Sequence, residues 1–128
     1  MRRRGARKLA LDVLYEHEIS ERPLEEILER YVLNPAYEFS RILVLGVGEH
    51  AVDIDQTLAE NSTDWTIDRM PPIDRSLLRL ALFEMMYLDD VPSAVAISEA
   101  VELAKIYSTD ESSGFINGVL GKVASVIT

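Results

Sequence analysis

Five cations, Arg2, Arg3, Arg4, Arg7 and Lys8, stand within the first eight positions, and no acidic residue lies among them. Arginine donates to phosphate oxygens through a planar fork and stacks on bases, so cations at this density suit a single nucleic-acid strand. The rest of the chain has the opposite sign: 8 basic against 22 acidic side chains in the remaining 120 residues, for a formal net charge of −9 overall. This polarity reads as a basic N-terminal arm, about residues 1–8, on an acidic body. On charge alone, a solvated N-terminus whose arginines only aid solubility fits equally well. An anionic lipid surface fits worse, because no large apolar or aromatic wedge accompanies the cations.

Other residue types that carry chemistry are present without the companions they need. The two histidines, His17 and His50, lie on separate helices with no second histidine or cysteine at i+3 or i+4, and metal binding requires convergent ligands. Gly46–Val47–Gly48 opens like a dinucleotide fingerprint but lacks the third glycine and the preceding strand, and Glu49 would repel phosphate. These glycines are expected to be close packing contacts. The carboxylate pairs Asp53/Asp55 and Asp89/Asp90 have no apolar frame to separate their pKa values, so they read as a solvated helix face and a helix-end turn. Ser112 and Ser113 have no neighbouring base. The expectation is a protein that is no enzyme and needs no cofactor.

The elements that must position the cations follow from the period of the apolar residues, which recur at three and four with no sustained alternation. The fold class expected is all-α, a compact antiparallel bundle of about seven helices. A first helix from near Gly5 to Ser20 turns Leu9, Ala10, Val13 and Leu14 inward, with His17 at the edge of that face. A second follows Pro23 and buries Leu24, Ile27, Leu28 and Tyr31. Asn34–Pro35 announces one long third helix, from about Ala36 toward Glu60. After a short segment around Trp65 and Ile67, Pro71 and Pro72 restart the chain into a helix with Ile73, Leu77, Leu80, Ala81 and Glu84 on one side. A helix bearing Val95, Ala96, Ala100, Val101 and Ala104 comes next. The last begins after Thr109 or Asp110 and turns Phe115, Ile116, Val119, Leu120 and Val123 inward. Gly118, within it, suggests close helix contact, since glycine there costs about 0.8–1.0 kcal/mol relative to alanine.

A chain of 128 residues, 48% of them apolar, has room for one folding unit with a core, taken as residues 1–128. The chain has no cysteine, which suits a reducing, cytoplasmic address. No run approaches the roughly 20 apolar residues of a membrane span, and Asp12 and Glu16 interrupt any signal-peptide core.

Four segments, RRRGARKLALDVLY, IDRSLLRLALFEM, VPSAVAISEAVELAK and FINGVLGK, occur in the order seen in the NusB family, which the chain resembles over nearly its whole length and most densely from Ile73 to Leu120. The resemblance implies an all-α fold and a role in processive transcription antitermination of ribosomal RNA operons. It implies binding of the boxA element of nascent single-stranded RNA together with NusE, a small-subunit ribosomal protein, in the transcription elongation complex. The family's arginine-rich motif falls on Arg3, Arg4 and Arg7 with adjacent Arg2 and Lys8. The turn Tyr107 to Ser112, including Glu111, supplies polar and stacking contacts beside it. NusE contact falls on Tyr15 and Ile19 of the first helix and on Asp74 and Arg75. The resemblance leaves open self-association as a homodimer.

Two positions depart from the usual pattern: Gly114 stands where a basic residue often precedes the phenylalanine of the closing motif, and Gly121 where an acidic residue is common. Losing a cation at Gly114 would weaken RNA binding. Two alternatives compete with the main reading. One is the RNA-binding helical domain of an rRNA cytosine methyltransferase, for whose catalytic domain a chain ending at Thr128 has no room. The other is an acidic adaptor that binds protein only.

Overall fold

The computed structural model describes residues 3–62 and 66–127; Arg2 and Trp65 lie outside the described residues. Among the described residues there are seven α-helices and one 3-10 turn: α1 (Arg3–Ser20), α2 (Leu24–Glu29), α3 (Tyr37–Glu49), α4 (Ala51–Asn61), the turn Ile67–Arg69, α5 (Pro72–Tyr87), α6 (Ser93–Tyr107) and α7 (Asp110–Ile127). The expected all-α class is what the chain adopts.

The first helix starts earlier than the apolar pattern suggests. Arg3, Arg4, Arg7 and Lys8 belong to the opening turns of α1, not to an arm ahead of it. Its face of Ala6, Leu9, Ala10, Val13 and Leu14 is buried, against α3 and α5. At its far end His17 Nδ1 lies 2.6 Å from the Arg22 carbonyl oxygen, and Glu21 turns the chain at φ 61°.

The single long helix expected over residues 36–60 is two. The chain breaks at His50 (φ −104°, ψ 21°), whose N–H donates to the Gly46 carbonyl of α3 and whose carbonyl accepts from Ile54 of α4. The local sequence has no proline here, so the cause is tertiary. Beyond the break, α4 packs on α5 and α7, whereas α3 packs on α1, α2 and α5. At the break the His50 ring stacks on Tyr87, centroids 3.8 Å apart. Asn34 acts one step from where it was expected: its Oδ1 accepts from the Ala36 N–H at 2.8 Å, and helix begins at Tyr37.

Helix α5 is the hub, in contact with α1, α3, α4, α6 and α7. Pro72 occupies its first turn, where a missing N–H leaves no intrahelical bond unmade. Leu77, Leu78, Leu80, Ala81, Leu82 and Phe83 are all buried. A helix apolar on more than one side is what a central position requires. Thr109 caps α7 by accepting the Ser112 N–H at 2.9 Å.

The glycines divide by role. A Cβ on Gly46 would stand 2.2 Å from the Phe83 ring, and one on Gly48 would meet Leu24 at 3.0 Å, so both are close-approach positions as expected. Gly118 is the reverse: nothing lies within 4 Å of a Cβ there, and the inferred helix contact does not exist. Of the apolar residues named for α6, Ala96, Ala100 and Ala104 are buried and Val95 is exposed.

Candidate nucleic-acid interface

The 3.6-residue period of α1 sorts its four described cations. Arg7 shares the buried face with Ala6, Ala10 and Leu14, so its stem enters the core, while Arg3, Arg4 and Lys8 emerge at the edge. Arg7 is 5% exposed and makes three hydrogen bonds to Glu84 of α5, at 2.6, 3.0 and 3.0 Å. Glu84 is itself 1% exposed. A buried guanidinium needs such a partner, because desolvating either charge alone is costly.

The outer three are paired in a different setting. Arg3 donates to Asp90 at 2.8 Å and its guanidinium carbon lies 4.2 Å from the Phe39 ring centroid. Arg4, with 73% of its side chain exposed, makes a bidentate pair with Glu99 of α6 at 3.1 and 2.8 Å. Glu99 also lies 3.5 Å from Arg7. Lys8 donates to Asp12 at 2.6 and 2.7 Å, and its Nζ stands 4.7 Å from the Tyr107 ring centroid. The Arg4 hydrogen bonds hold Glu99 below the usual carboxylate range, and the Arg3 hydrogen bond does the same for Asp90.

The Lys8–Tyr107 contact joins the start of α1 to the end of α6. Just beyond Tyr107 the α6–α7 turn borders a cavity of about 250 Å³ lined by Asp74, Thr109, Glu111, Ser112 and Phe115, over Met70 and Pro71. The half-buried Lys8, the exposed Tyr107 ring and the hollow at the α6–α7 turn thus follow one another along the chain and its contacts. Phosphates could be neutralised and bases stacked or accepted there. Gly114 lines a separate hollow, also of about 250 Å³, with Phe115, Gly118 and Lys122.

The four residues expected to meet a protein partner divide. Tyr15 and Ile19 are exposed, one turn apart on α1, at 39% and 62%. Asp74 is 2% exposed and accepts from the Ser108 hydroxyl at 2.8 Å. Arg75 turns inward, donating to Glu18 at 2.7 Å through two nitrogens and to the Ile67 and Met70 carbonyls at 3.0 Å. Asp74 and Arg75 therefore fix the chain entering α5 and the α6–α7 turn.

Glu84, Glu99, Asp90 and the cluster of Glu18, Asp55 and Arg79 were not singled out as site residues. Glu84 had a signal, since an acid on the inward stripe of α5 requires a buried cation. Glu99 and Asp90 had none, because their partners lie 95 and 87 residues away in sequence. Among the described residues no group of three or more His, Cys, Asp or Glu side chains is placed to hold a metal ion, and no helix is long and apolar enough to cross a membrane.

An all-helical protein that gathers cations and an aromatic ring beside a helix turn has the features of a binding surface. Comparison with known proteins makes this specific. The NusB family profile matches residues 4–125. The transcription antitermination protein NusB of Salinispora arenicola is 46% identical, over 98% of this chain and 97% of its own length. Among solved structures, Thermotoga maritima NusB superposes with a TM-score of 0.91 at 34% identity, covering 98% of this chain and 92% of that one. A chain from a crystal structure of antitermination factors NusB and NusE in complex with dsRNA gives 0.87 at 28% identity, covering 96% of both. The chain belongs to the NusB family, a family of transcription antitermination proteins.

Proposed function

We propose that this chain promotes processive transcription by binding a boxA-like single strand of nascent ribosomal RNA together with the ribosomal protein NusE, as a subunit of the elongation complex. The observation that carries the reading is the Lys8–Tyr107 contact, which unites the two stretches expected to touch RNA. Arg3, Arg4 and Lys8, with Arg2 ahead of them, engage phosphates. Tyr107, Glu111 and Ser112 meet bases or sugars. Arg7 serves the interface from below by anchoring α1 to α5. Tyr15 and Ile19 supply the face for NusE, and Asp74 and Arg75 hold the elements behind it. Family membership and the similarity to a chain solved with NusE and RNA support this reading.

The test is titration of a boxA-like single-stranded RNA, with and without NusE, over a range of salt. Each phosphate neutralised on a single strand contributes about −0.7 to the slope of log affinity against log salt, so Arg4→Ala weakens binding and makes the slope shallower. A duplex of the same sequence serves as the comparison ligand. Absence of any binding at low salt removes the RNA role. That outcome would favour the protein-only adaptor, which draws on one specific observation: every described cation from Arg3 to Lys8 is already paired with a carboxylate. The methyltransferase reading loses ground, since the Salinispora relative is covered over 97% of its length and has no room for an appended catalytic domain.

A further inference from the structure

Arg3 and Arg4, at the start of α1, are each paired with a carboxylate of a distant element. Arg4 keeps 73% of its side chain exposed, and its Nε–Nη2 edge closes on Glu99, whose own side chain is 14% exposed. Glu99 is held by burial on α6 and by a second cation, Arg7, 3.5 Å away. The more exposed partner, and the one open to a ligand, is therefore Arg4. Two carboxylate oxygens presented to one guanidinium reproduce the bidentate geometry with which arginine meets a phosphate. Asp90, in the turn after α5, accepts a single bond of 2.8 Å from Arg3; in this pair the carboxylate is the more exposed partner, at 64% against 34%.

We propose that Glu99, assisted by Asp90, sets the affinity of this surface for RNA, by occupying Arg4 and Arg3 until a phosphate displaces the carboxylate. The proposal rests on the RNA reading above. Binding is then an exchange of one anion for another, and the released carboxylate stands close to the incoming phosphate. Both effects oppose association. Exposed ion pairs are weak, so the exchange is readily made, but it is not free. Like charges brought together at an interface act against binding and reduce the attraction of unrelated polyanions. Low salt strengthens the intramolecular pair along with the intermolecular one, which blunts the salt dependence.

The consequence has a sign that a merely structural role would not produce: removing an acidic residue tightens binding. Glu99→Gln keeps a hydrogen-bond acceptor for Arg4 while removing the charge. Measured with a boxA-like single-stranded RNA, Glu99→Gln is expected to bind about two- to fivefold tighter than the unsubstituted chain. Its salt slope is expected to be steeper by up to about 0.7. The gain should vanish in an Arg4→Ala background. Glu60→Gln, on α4, removes the same unit of charge outside the cluster and should leave affinity unchanged. Asp90→Asn, at an exposed turn, tests the idea independently should Glu99→Gln fail to fold. Folded Glu99→Gln or Asp90→Asn proteins that bind RNA no more tightly than the unsubstituted chain overturn the proposal while leaving the RNA reading intact. An unsubstituted chain that binds no RNA at low salt overturns both.

Discussion

Replacing Arg7 separates its buried role from that of its exposed neighbours. Arg7→Ala leaves Glu84 uncompensated in the core, and breaking a buried pair from one side costs about 3–5 kcal/mol. Urea unfolding of Arg7→Ala should show a loss of that size, with Arg4→Ala close to the unsubstituted protein. The double change Arg7→Met/Glu84→Leu should recover most of it, since an apolar pair of similar volume replaces the ions. A single variant as stable as the parent would mean that the pair is not the anchor of α1. The carboxylates predict a pH dependence. Glu99, Asp90 and Glu18 all sit below their ordinary values, each chiefly through a hydrogen bond from arginine: Arg4, Arg3 and Arg75 respectively. Groups with depressed folded values stabilise the fold fully above the unfolded value and lose that contribution as pH falls through the folded one. Thermal stability should be level near neutrality and decline below about pH 4, with a shallower decline in Glu99→Gln. The basic cluster was legible in the sequence as an electrostatic signal. The burial of Arg7 was legible only in principle, from its i+3 and i−1 relation to Ala10 and Ala6. The acids that close on Arg3 and Arg4 were not, because no local spacing announces a contact across the whole bundle.

At the level of elements, the glycines offer an opposed pair of tests. Gly46→Ala forces a methyl group onto the Phe83 ring, where α3 crosses α5. Phe83 is 5% exposed and stacks on Tyr87 at 5.7 Å, so it has little room to yield. Overpacking of this kind costs about 1–3 kcal/mol. Gly118→Ala meets nothing within 4 Å on α7 and should stabilise by roughly 0.5–1 kcal/mol through helix propensity and a less flexible unfolded chain. Chemical denaturation of the two variants should move the midpoints in opposite directions; the same direction in both would contradict the packing described for one of the two helices. Before folding, both glycines look alike, as helix-interior residues beside apolar runs. Only the neighbour that arrives distinguishes them. The same limit explains the break at His50. Glu49, His50 and Ala51 continue the helical pattern, and the turn between α3 and α4 comes from the separate surfaces that the two helices must cover. The cap at Thr109 and the first-turn proline Pro72 were legible because they act within their own turn.

Across the whole molecule, α1 carries the two proposed contacts at its two ends. Arg4 and Ile19 are 15 residues apart on one helix, about 22 Å at 1.5 Å per residue. That span exceeds the Debye length of about 8 Å at physiological salt, so a charge at one end has little direct influence on phosphate binding at the other. The RNA and NusE surfaces should therefore be separable by mutation. Ile19→Asp places a charge in the middle of the exposed Tyr15–Ile19 face, where an apolar contact would have to desolvate it. Loss of NusE binding by at least about tenfold is expected, with the affinity of the chain alone for RNA unchanged within about twofold. Arg4→Ala should do the converse. Because Ile19 is 62% exposed, the substitution removes no core contact and folding should persist, which a thermal melt verifies. If Ile19→Asp bound NusE normally, the partner face would have to lie elsewhere. If it weakened RNA binding in the absence of NusE, the two ends of α1 would be coupled through the bundle, and the buried Arg7–Glu84 pair joining α1 to α5 would be the first connection to test.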